Sequence, residues 1–410
     1  MIDIAPTLPS IINSKQFLPA AFSVCQLQNL PIALWKLPNS HTIHLIIDFS
    51  LRLKQVKADL EELGKGFIIS PFHNQGNATW FMHADLHWEG SLTQNELAKL
   101  TFSKRTEQYL SIEQRQKDLF MNALPSFQSL SKTYYFIENS GNRAYSEEKD
   151  FEDAVSRAVK EISKGTFRKV VLSRKKAVDL PKYFNLLEAF EKATVLYPHA
   201  FVSLISASET GTWLGASPEI LVSIDKNKIF RTIALAGTQA KGNQTNMSEV
   251  LWTQKEIEEQ ALVSRYIINC LKKIRVREFE EIGPKTVASG NLLHLRTDFE
   301  IDTKEINFPQ LGTVMLDLLH PTSAVCGMPK EQAMDFIKVH EKYDRELYSG
   351  YLGQVNIGEE SKIFVNLRCM QLINKQAILY AGAGITQDSH PEKEWKETEM
   401  KMNTMMKLLE

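Results

Sequence analysis

"HAFVSLISASETGTWLGASPEILVSIDKNKIFRTIALAGT", His199 to Thr238, holds four runs rich in β-branched, aromatic and aliphatic residues: "HAFVSLISA", "GTWLGAS", "EILVSID" and "KIFRTIALAGT". Turn residues separate them at short intervals, which predicts an antiparallel meander. Upstream, "SEEKDFEDAVSRAVKEISKG" reads as a helix: Ser146 can cap it, Phe151, Val155, Val159 and Ile162 line one face, and Gly165 ends it. The β-branched "RKVVLSRKKAVDL" then predicts a strand. Downstream come a long helix over about 247–274, the strand "NLLHLRTDFEID", helices near 309–319 and 329–342, strands "SGYLGQVNI", "KIFVNLRCMQL" and "QAILYAGAGI", and an acidic final helix. Strands in runs with helices between them indicate an α+β fold with large, mostly antiparallel sheets flanked by helices.

The first 80 or so residues mix β-rich runs such as "TIHLIIDF" (42–49) and "KGFIISPF" (65–72) with loops. From about Ser91 to Asp150 the composition turns polar and helix-prone, ending in the turn-like "ENSGNRAYSEEKD". This predicts one large domain with an N-terminal subdomain over 1–144 and a catalytic core over 145–410. No internal repeat or low-complexity tract interrupts either part.

A chain of 410 residues can bury a large core. Its 43% hydrophobic and 24% charged content is ordinary for a soluble globular protein. With 48 basic against 49 acidic residues the net charge is −1, which offers no basic excess for nucleic acid and no lipid-seeking tail. The opening "MIDIAPTLPSIINSKQF" lacks the basic start and apolar core of a secretory signal. No apolar run approaches the roughly 20 residues that span a bilayer. Cys25, Cys270, Cys326 and Cys369 are scattered without CxxC spacing, so neither a zinc site nor a disulfide framework is indicated. A soluble, reduced, cytoplasmic protein is expected.

Two acidic segments are the first candidates for chemistry. "PEKEWKETEMK" (391–401) places Glu392, Glu394, Glu397 and Glu399 on one short helix. Residues three and four apart share a face, so Glu394 lies beside Glu397, and Glu397 can pair with Lys401. Ser389 or His390 ahead of Pro391 suits a helix start, where acids also match the helix dipole. A solvated helix face accounts for this segment taken alone. "TQKEIEEQALVSRYIINCLKKI" (253–274) is helical by the spacing of Ile257, Ala261, Ile267, Ile268 and Leu271, and it sets Glu256 and Glu259 three apart on one face. Two such helices could converge on a hard dication. All-oxygen ligation without His or Cys favours Mg²⁺, although Lys255 can equally pair with Glu259.

Strand alternation puts Lys169, Val171 and Ser173 on one face, with Arg168, Val170, Leu172 and Arg174 on the other. Periodicity does not decide which face is buried, and the arginines suggest a wet side. Turned inward, Lys169 would be pushed toward the range of a general base; turned outward, it is a solvated lysine. Glu219 follows "GASP", where Gly215 and Pro218 make a bend that could present a carboxyl to a cavity or form a plain exposed turn. "ALAGT" (234–238) and "AGAGI" (381–385) are small-residue strand ends that let a ligand approach the backbone, but such pairs are more often tight turns. Neither a dinucleotide-binding glycine motif nor a P-loop occurs, so nucleotide binding is not supported. Arg368, among apolar neighbours in "FVNLRCMQL", calls for a planar anion, either a substrate carboxylate or an internal salt bridge.

Taken together and in order, "FRKVVLSR", "GASPE", "ALAGT", "KEIEEQALV", "SGNLLHLRT", "LLHPTSAVCGMPKEQA", "YDRELYSGYLGQV", "VNLRCM", "AGAGI" and "EWKETEMK" resemble the chorismate-utilising enzymes. That family includes anthranilate synthase component I, aminodeoxychorismate synthase, salicylate synthase and isochorismate synthase. The likeness runs from about Tyr145 to the C-terminus, and "KGFIISPF" is more weakly similar to the N-terminal part of isochorismate synthases.

The resemblance implies roles residue by residue. Glu259 and Glu397 correspond to Mg²⁺ ligands, with Glu256 and Glu394 the outer pair that holds metal-bound waters. Lys169 matches the base that activates water for attack at C2 of the chorismate ring, and Glu219 the acid that protonates the departing C4 hydroxyl. Arg368 and Tyr348 match the residues holding the enolpyruvyl carboxylate, aided by backbone amides near Gly382 and Gly384. Gly237 and Thr238 line the ring pocket, and His320 lies beside it. Ammonia-using anthranilate synthases have glutamine where this chain has Lys169, and aminodeoxychorismate synthases carry a lysine at the place of Ala236. Salicylate synthases usually have threonine in the stretch where this chain has Ala324. The resemblance therefore implies a Mg²⁺-dependent isochorismate synthase that uses water and serves menaquinone or catechol siderophore biosynthesis. A monomer without a glutamine amidotransferase subunit is expected. Salicylate synthase and a catalytically silent chorismate-binding paralogue are the alternatives.

Overall fold

The computed structural model describes residues 14–73, 79–91, 99–102, 110–127, 147–241, 246–289 and 292–410. Among them the strands form two antiparallel sheets. The first has ten strands, in the order Gly327–Met328, Lys169–Asp179, Gln376–Ile385, Cys369–Ile373, Gly211–Ser217, Phe201–Ala207, Ile32–Lys36, Ile43–Ile47, Leu86–Gly90 and Lys99–Phe102. The second has nine, in the order Glu280–Ser289, Leu292–Asp302, Ile229–Ala240, Ile220–Ile224, Glu360–Val365, Tyr351–Ile357, Gly66–Ser70, Thr79–His83 and Lys54–Val56. The α+β class read from the sequence is the observed one.

The sheets face each other across an apolar layer that includes Trp35, Phe67, Phe201, Trp213 and Phe364. Phe201 of one sheet stacks on Phe364 of the other with ring centroids 4.1 Å apart. Helices cover the outer faces. Gln254–Lys273 lies on the Ile229–Ala240 strand, and Pro391–Met406 lies on Gln376–Ile385 and against the helix Glu148–Ser163. No helix among the described residues is long and apolar enough to cross a membrane.

The meander read from 199–238 forms, but it is divided: the strands ending at Ser217 and beginning at Ile220 belong to different sheets. "KIFVNLRCMQL", expected as one strand, likewise breaks into Glu360–Val365 and Cys369–Ile373, one in each sheet. Arg368 at that break adopts a left-handed backbone with φ of 47°. A chain that changes sheet must leave its pleat, and the hydrophobic pattern carries no mark of that corner.

Among the elements not legible in the sequence are three more. Ser14–Gln28 is helical despite Pro19 inside it, and the Ser23 hydroxyl bonds the Pro19 carbonyl at 2.9 Å. Leu186–Leu196 is capped by Asn185, whose side chain accepts from the amides of Leu187 and Glu188. Glu280–Ser289 is an edge strand that contains Gly283 and Pro284, with a register shift between Ile282 and Lys285; such residues are tolerated at edges and bulges. The long helix starts at Gln254, seven residues later than expected, after a single 3₁₀ turn over Met247–Glu249. Ser146 and the expected boundary at 144/145 lie outside the described residues.

Candidate active site

A cavity of about 810 Å³ opens where the two sheets meet the two acidic helices. Lys169, Glu219, Gly237, Glu256, Glu259, Ala324, Tyr348, Arg368, Gly382, Gly384, Glu394 and Glu397 all line it. The side chain of Thr238 lies outside what the structure describes. His320 is not among the cavity-lining residues: it is buried, edge-on to Tyr351 with centroids 4.8 Å apart. Burial first, and then Lys330, push its pKa down to about 4.

Glu219 and Arg368 occupy two of the corners at which the chain crosses between sheets. Glu219 follows Ser217, whose hydroxyl bonds the Val365 carbonyl at 2.5 Å, while the Val365 amide donates to the Glu219 carbonyl at 3.0 Å. The corners thus hold each other, and their side chains turn into the same space. Among the described residues Arg368 forms no ion pair within 4.0 Å; Tyr348, Glu397 and Glu219 are the groups whose fields favour its charge against the cost of burial. Of the two readings of Arg368, the internal salt bridge is not observed.

Lys169 begins the strand that pairs with Gln376–Ile385, with Val171 opposite Gly384 and Ser173 opposite Gly382. A Cβ on Gly384 would stand 3.0 Å from Lys169 Cε, and one on Gly382 would stand 3.0 Å from Tyr348 Oη. Both glycines therefore make room for functional side chains. Gly237 has φ of 65° at the bulge between Ala236 and Thr238, where a Cβ would meet Glu256 Cβ at 3.1 Å. Lys169 faces inward, contrary to the solvent-facing alternative. Of the two arginines taken to mark a wet side, Arg168 is exposed just ahead of the strand, whereas Arg174 is 1% exposed. Its guanidinium stacks on Trp395 at 3.5 Å, donates to Thr398 at 2.6 Å and pairs with Glu399.

Burial lowers the Lys169 pKa from the ordinary amine value, opposed by Glu259, Glu219 and Glu397. The same enclosure raises Glu219 to about 7, opposed by Lys169 and Arg368. An amine biased toward its neutral form and a carboxyl biased toward its protonated form thus share one cavity, the arrangement general acid–base chemistry requires.

The acids of the final helix divide by task. Glu392 is exposed. Glu399 clamps Arg174 and Lys176. Glu394 and Glu397 face the cavity, where burial and then Glu397 raise the Glu394 pKa, against the Ser389 hydroxyl. The Glu397–Lys401 pairing read from the spacing is present at 2.5 Å, and Lys401 also donates to the Gly382 carbonyl at 2.7 Å. Across the cavity Glu256 closes a capping box with Thr253, whose amide donates to it at 2.8 Å.

These donors are all oxygen and come from two helices, which suits a hard dication such as Mg²⁺. Glu397 has one oxygen on Lys401 and one left over. Among the described residues, however, no three of the four carboxylates bring ligand atoms within 4.8 Å of one another. The set fits one or two direct ligands supplemented by water rather than an all-protein cage.

Several residues of the site were not singled out from the sequence. Lys401 was read only as a helix partner, although its ammonium lines the cavity. His294 also lines it and contacts the Gly237 carbonyl at 3.1 Å. Arg345, fully buried, donates to the carbonyls of Val171 at 2.7 Å and Val325 at 2.8 Å, and is paired with Glu341. Glu341 accepts from the Ser173 amide at 2.7 Å. This pair fixes the segments that carry Lys169 and Ala324; the only sequence signal was a basic residue between acids in "YDRELYSG".

A family model for chorismate binding enzymes matches residues 90–410. The chain is 30% identical over 269 residues to isochorismate synthase EntC of Escherichia coli (strain K12), covering 64% of this chain and 68% of that protein. It is 25% identical over 329 residues to isochorismate synthase MenF of the same organism, covering 79% and 74%. Among solved structures, that of MenF, the menaquinone-specific isochorismate synthase from Escherichia coli, matches with a TM-score of 0.73 at 22% identity, over 95% of this chain and 91% of that one.

Proposed function

The chain belongs to the chorismate-binding enzyme family, and from that premise we propose that it is an isochorismate synthase, converting chorismate to isochorismate. The observation that carries this reading is the placement of Lys169 and Glu219 in one cavity with their pKa values displaced in opposite directions. Lys169 takes a proton from a water that adds at C2. Both ring double bonds shift, from C1–C2 to C1–C6 and from C5–C6 to C4–C5, and Glu219 gives its proton to the hydroxyl leaving C4. One water enters and one leaves, so the change is an isomerisation.

Arg368, without an ion-pair partner among the described residues, and the Tyr348 hydroxyl receive the enolpyruvyl carboxylate, and the two carboxylates of the substrate offset the cationic charge of Arg368 and Lys401. Mg²⁺ held by Glu259 and Glu397, with Glu256 and Glu394 retaining its waters, would neutralise the ring carboxylate beside these acids. A lysine rather than an amide at position 169 supports water as the nucleophile. A menaquinone destination for the product is supported by the longer match to MenF, 79% of this chain against 64% for EntC.

Purified protein given chorismate and Mg²⁺ should yield an isochorismate–chorismate mixture, reached from either side and resolved by chromatography. Ammonium and glutamine should give no aminated product. Stoichiometric pyruvate with a fluorescent salicylate peak would replace this reading with salicylate synthase, and unchanged chorismate would replace it with a silent binder.

A further inference from the structure

A second cluster of metal-ligating side chains lies away from the cavity, on the ten-stranded sheet near its Lys99–Phe102 edge. His44 stands opposite Glu89 on neighbouring strands, and His87 lies two residues from Glu89 on the same face. The three offer one ligand atom each, all within 4.8 Å of one another, and all three residues are partly exposed. None of them lines the catalytic cavity.

His44 Nδ1 and His87 Nε2 are 3.2 Å apart. Two ligands bound at about 2.05 Å to a tetrahedral Zn²⁺ lie about 3.3 Å from each other, so the spacing already matches. Both rings lie nearly parallel to the Trp35 indole, with centroids 5.2 Å and 6.4 Å away. The Trp35 ring nitrogen is itself anchored to Gln354 at 2.9 Å.

We propose that His44, His87 and Glu89 form a binding site for a first-row transition ion, Zn²⁺ being the best match to two imidazoles and a carboxylate. The site would cross-link the Ile43–Ile47 and Leu86–Gly90 strands. Binding replaces the hydrogen bond between the two rings, which face each other at a 5.4 Å centroid distance and must turn toward Glu89. The proton they share moves to the far nitrogen of the donating ring, so no net proton is released.

The test is titration of chelator-stripped full-length protein with Zn²⁺ against a chromogenic competitor, followed in parallel by thermal unfolding and tryptophan fluorescence. One equivalent should bind, resist displacement by excess Mg²⁺, raise the unfolding midpoint and perturb the fluorescence. His87→Gln and Glu89→Gln, each checked for native circular dichroism, should weaken binding at least about tenfold and abolish the rise in midpoint. His44→Gln provides a third arm should either of these fail to fold. Unchanged affinity in the folded variants, displacement by Mg²⁺, or no stoichiometric Zn²⁺ uptake would overturn the proposal.

Discussion

Burial acts on Lys169 and Glu219 in opposite directions, favouring the neutral amine and the protonated carboxyl. For Glu219, raised from 4.5 to about 7, the folded chain keeps a proton that the unfolded chain has lost. Its contribution to stability is therefore complete below about 4.5 and lost as pH rises through about 7. As the proposed acid of the reaction it must be protonated, so turnover should decline above about pH 7. Glu219→Gln should lower kcat by at least about 10²-fold, remove the alkaline decline attributable to this group, and unfold at a higher temperature relative to wild type at pH 8 than at pH 5. A full-strength variant, or one with the wild-type stability profile, would remove Glu219 from the proton transfer. The inward turn of Lys169 was not decidable from alternation because its strand is covered on both faces. Val170 and Leu172 are buried on one side, Val171 and Ser173 on the other, and Arg174 is tucked under Trp395.

At the scale of elements, the two acidic helices are each tied down independently of any ion. The final helix is clamped to the Lys169–Asp179 strand by Arg174 and Lys176 through Glu399 and Thr398. The Gln254–Lys273 helix is fixed by its capping box and by Gln260, which donates to the Ala234 carbonyl at 3.1 Å and to Thr297 at 2.9 Å. Glu259 and Glu397 can therefore be altered without undocking their helices. Glu259→Gln and Glu397→Gln should leave thermal stability near wild type while raising the Mg²⁺ concentration needed for half-maximal activity steeply, because each would remove a charged oxygen from the proposed metal site. Chelation should abolish turnover and Mg²⁺ restore it. Wild-type Mg²⁺ dependence in both variants would reduce the acids to ion-pairing roles such as Glu397 with Lys401. Both helices were legible because apolar spacing and acidic pairs are local properties. The break at Arg368 was not, because it depends on which sheet each flanking strand joins.

Over the whole molecule, the N-terminal residues complete both sheets. Ile32–Lys36 pairs with Phe201–Ala207, and Gly66–Ser70 pairs with Tyr351–Ile357, so each sheet runs without interruption from the C-terminal part into the N-terminal part. The N-terminal contribution also supports segments that line the cavity. Phe72 packs under the Arg345 guanidinium at 4.1 Å and its amide donates to the Glu346 carbonyl at 2.9 Å. Arg345 in turn holds the carbonyls of Val171 and Val325. Composition could mark a change near residue 145, but not that strands on either side of it would pair across it. A chain shortened to residues 145–410 would expose the edges of two strands whose residues are almost all buried. It would also uncover the layer that Trp35, Phe67 and Ile69 now fill, each large apolar side chain being worth about 1.5–3 kcal/mol on burial. Open apolar edges recruit further chains. The shortened chain should aggregate or bind a hydrophobic dye without a cooperative thermal transition, and should lack isomerase activity, whereas the full chain should unfold cooperatively. A soluble, cooperatively folding 145–410 fragment that turns over chorismate would show that the shared sheets are dispensable to the core.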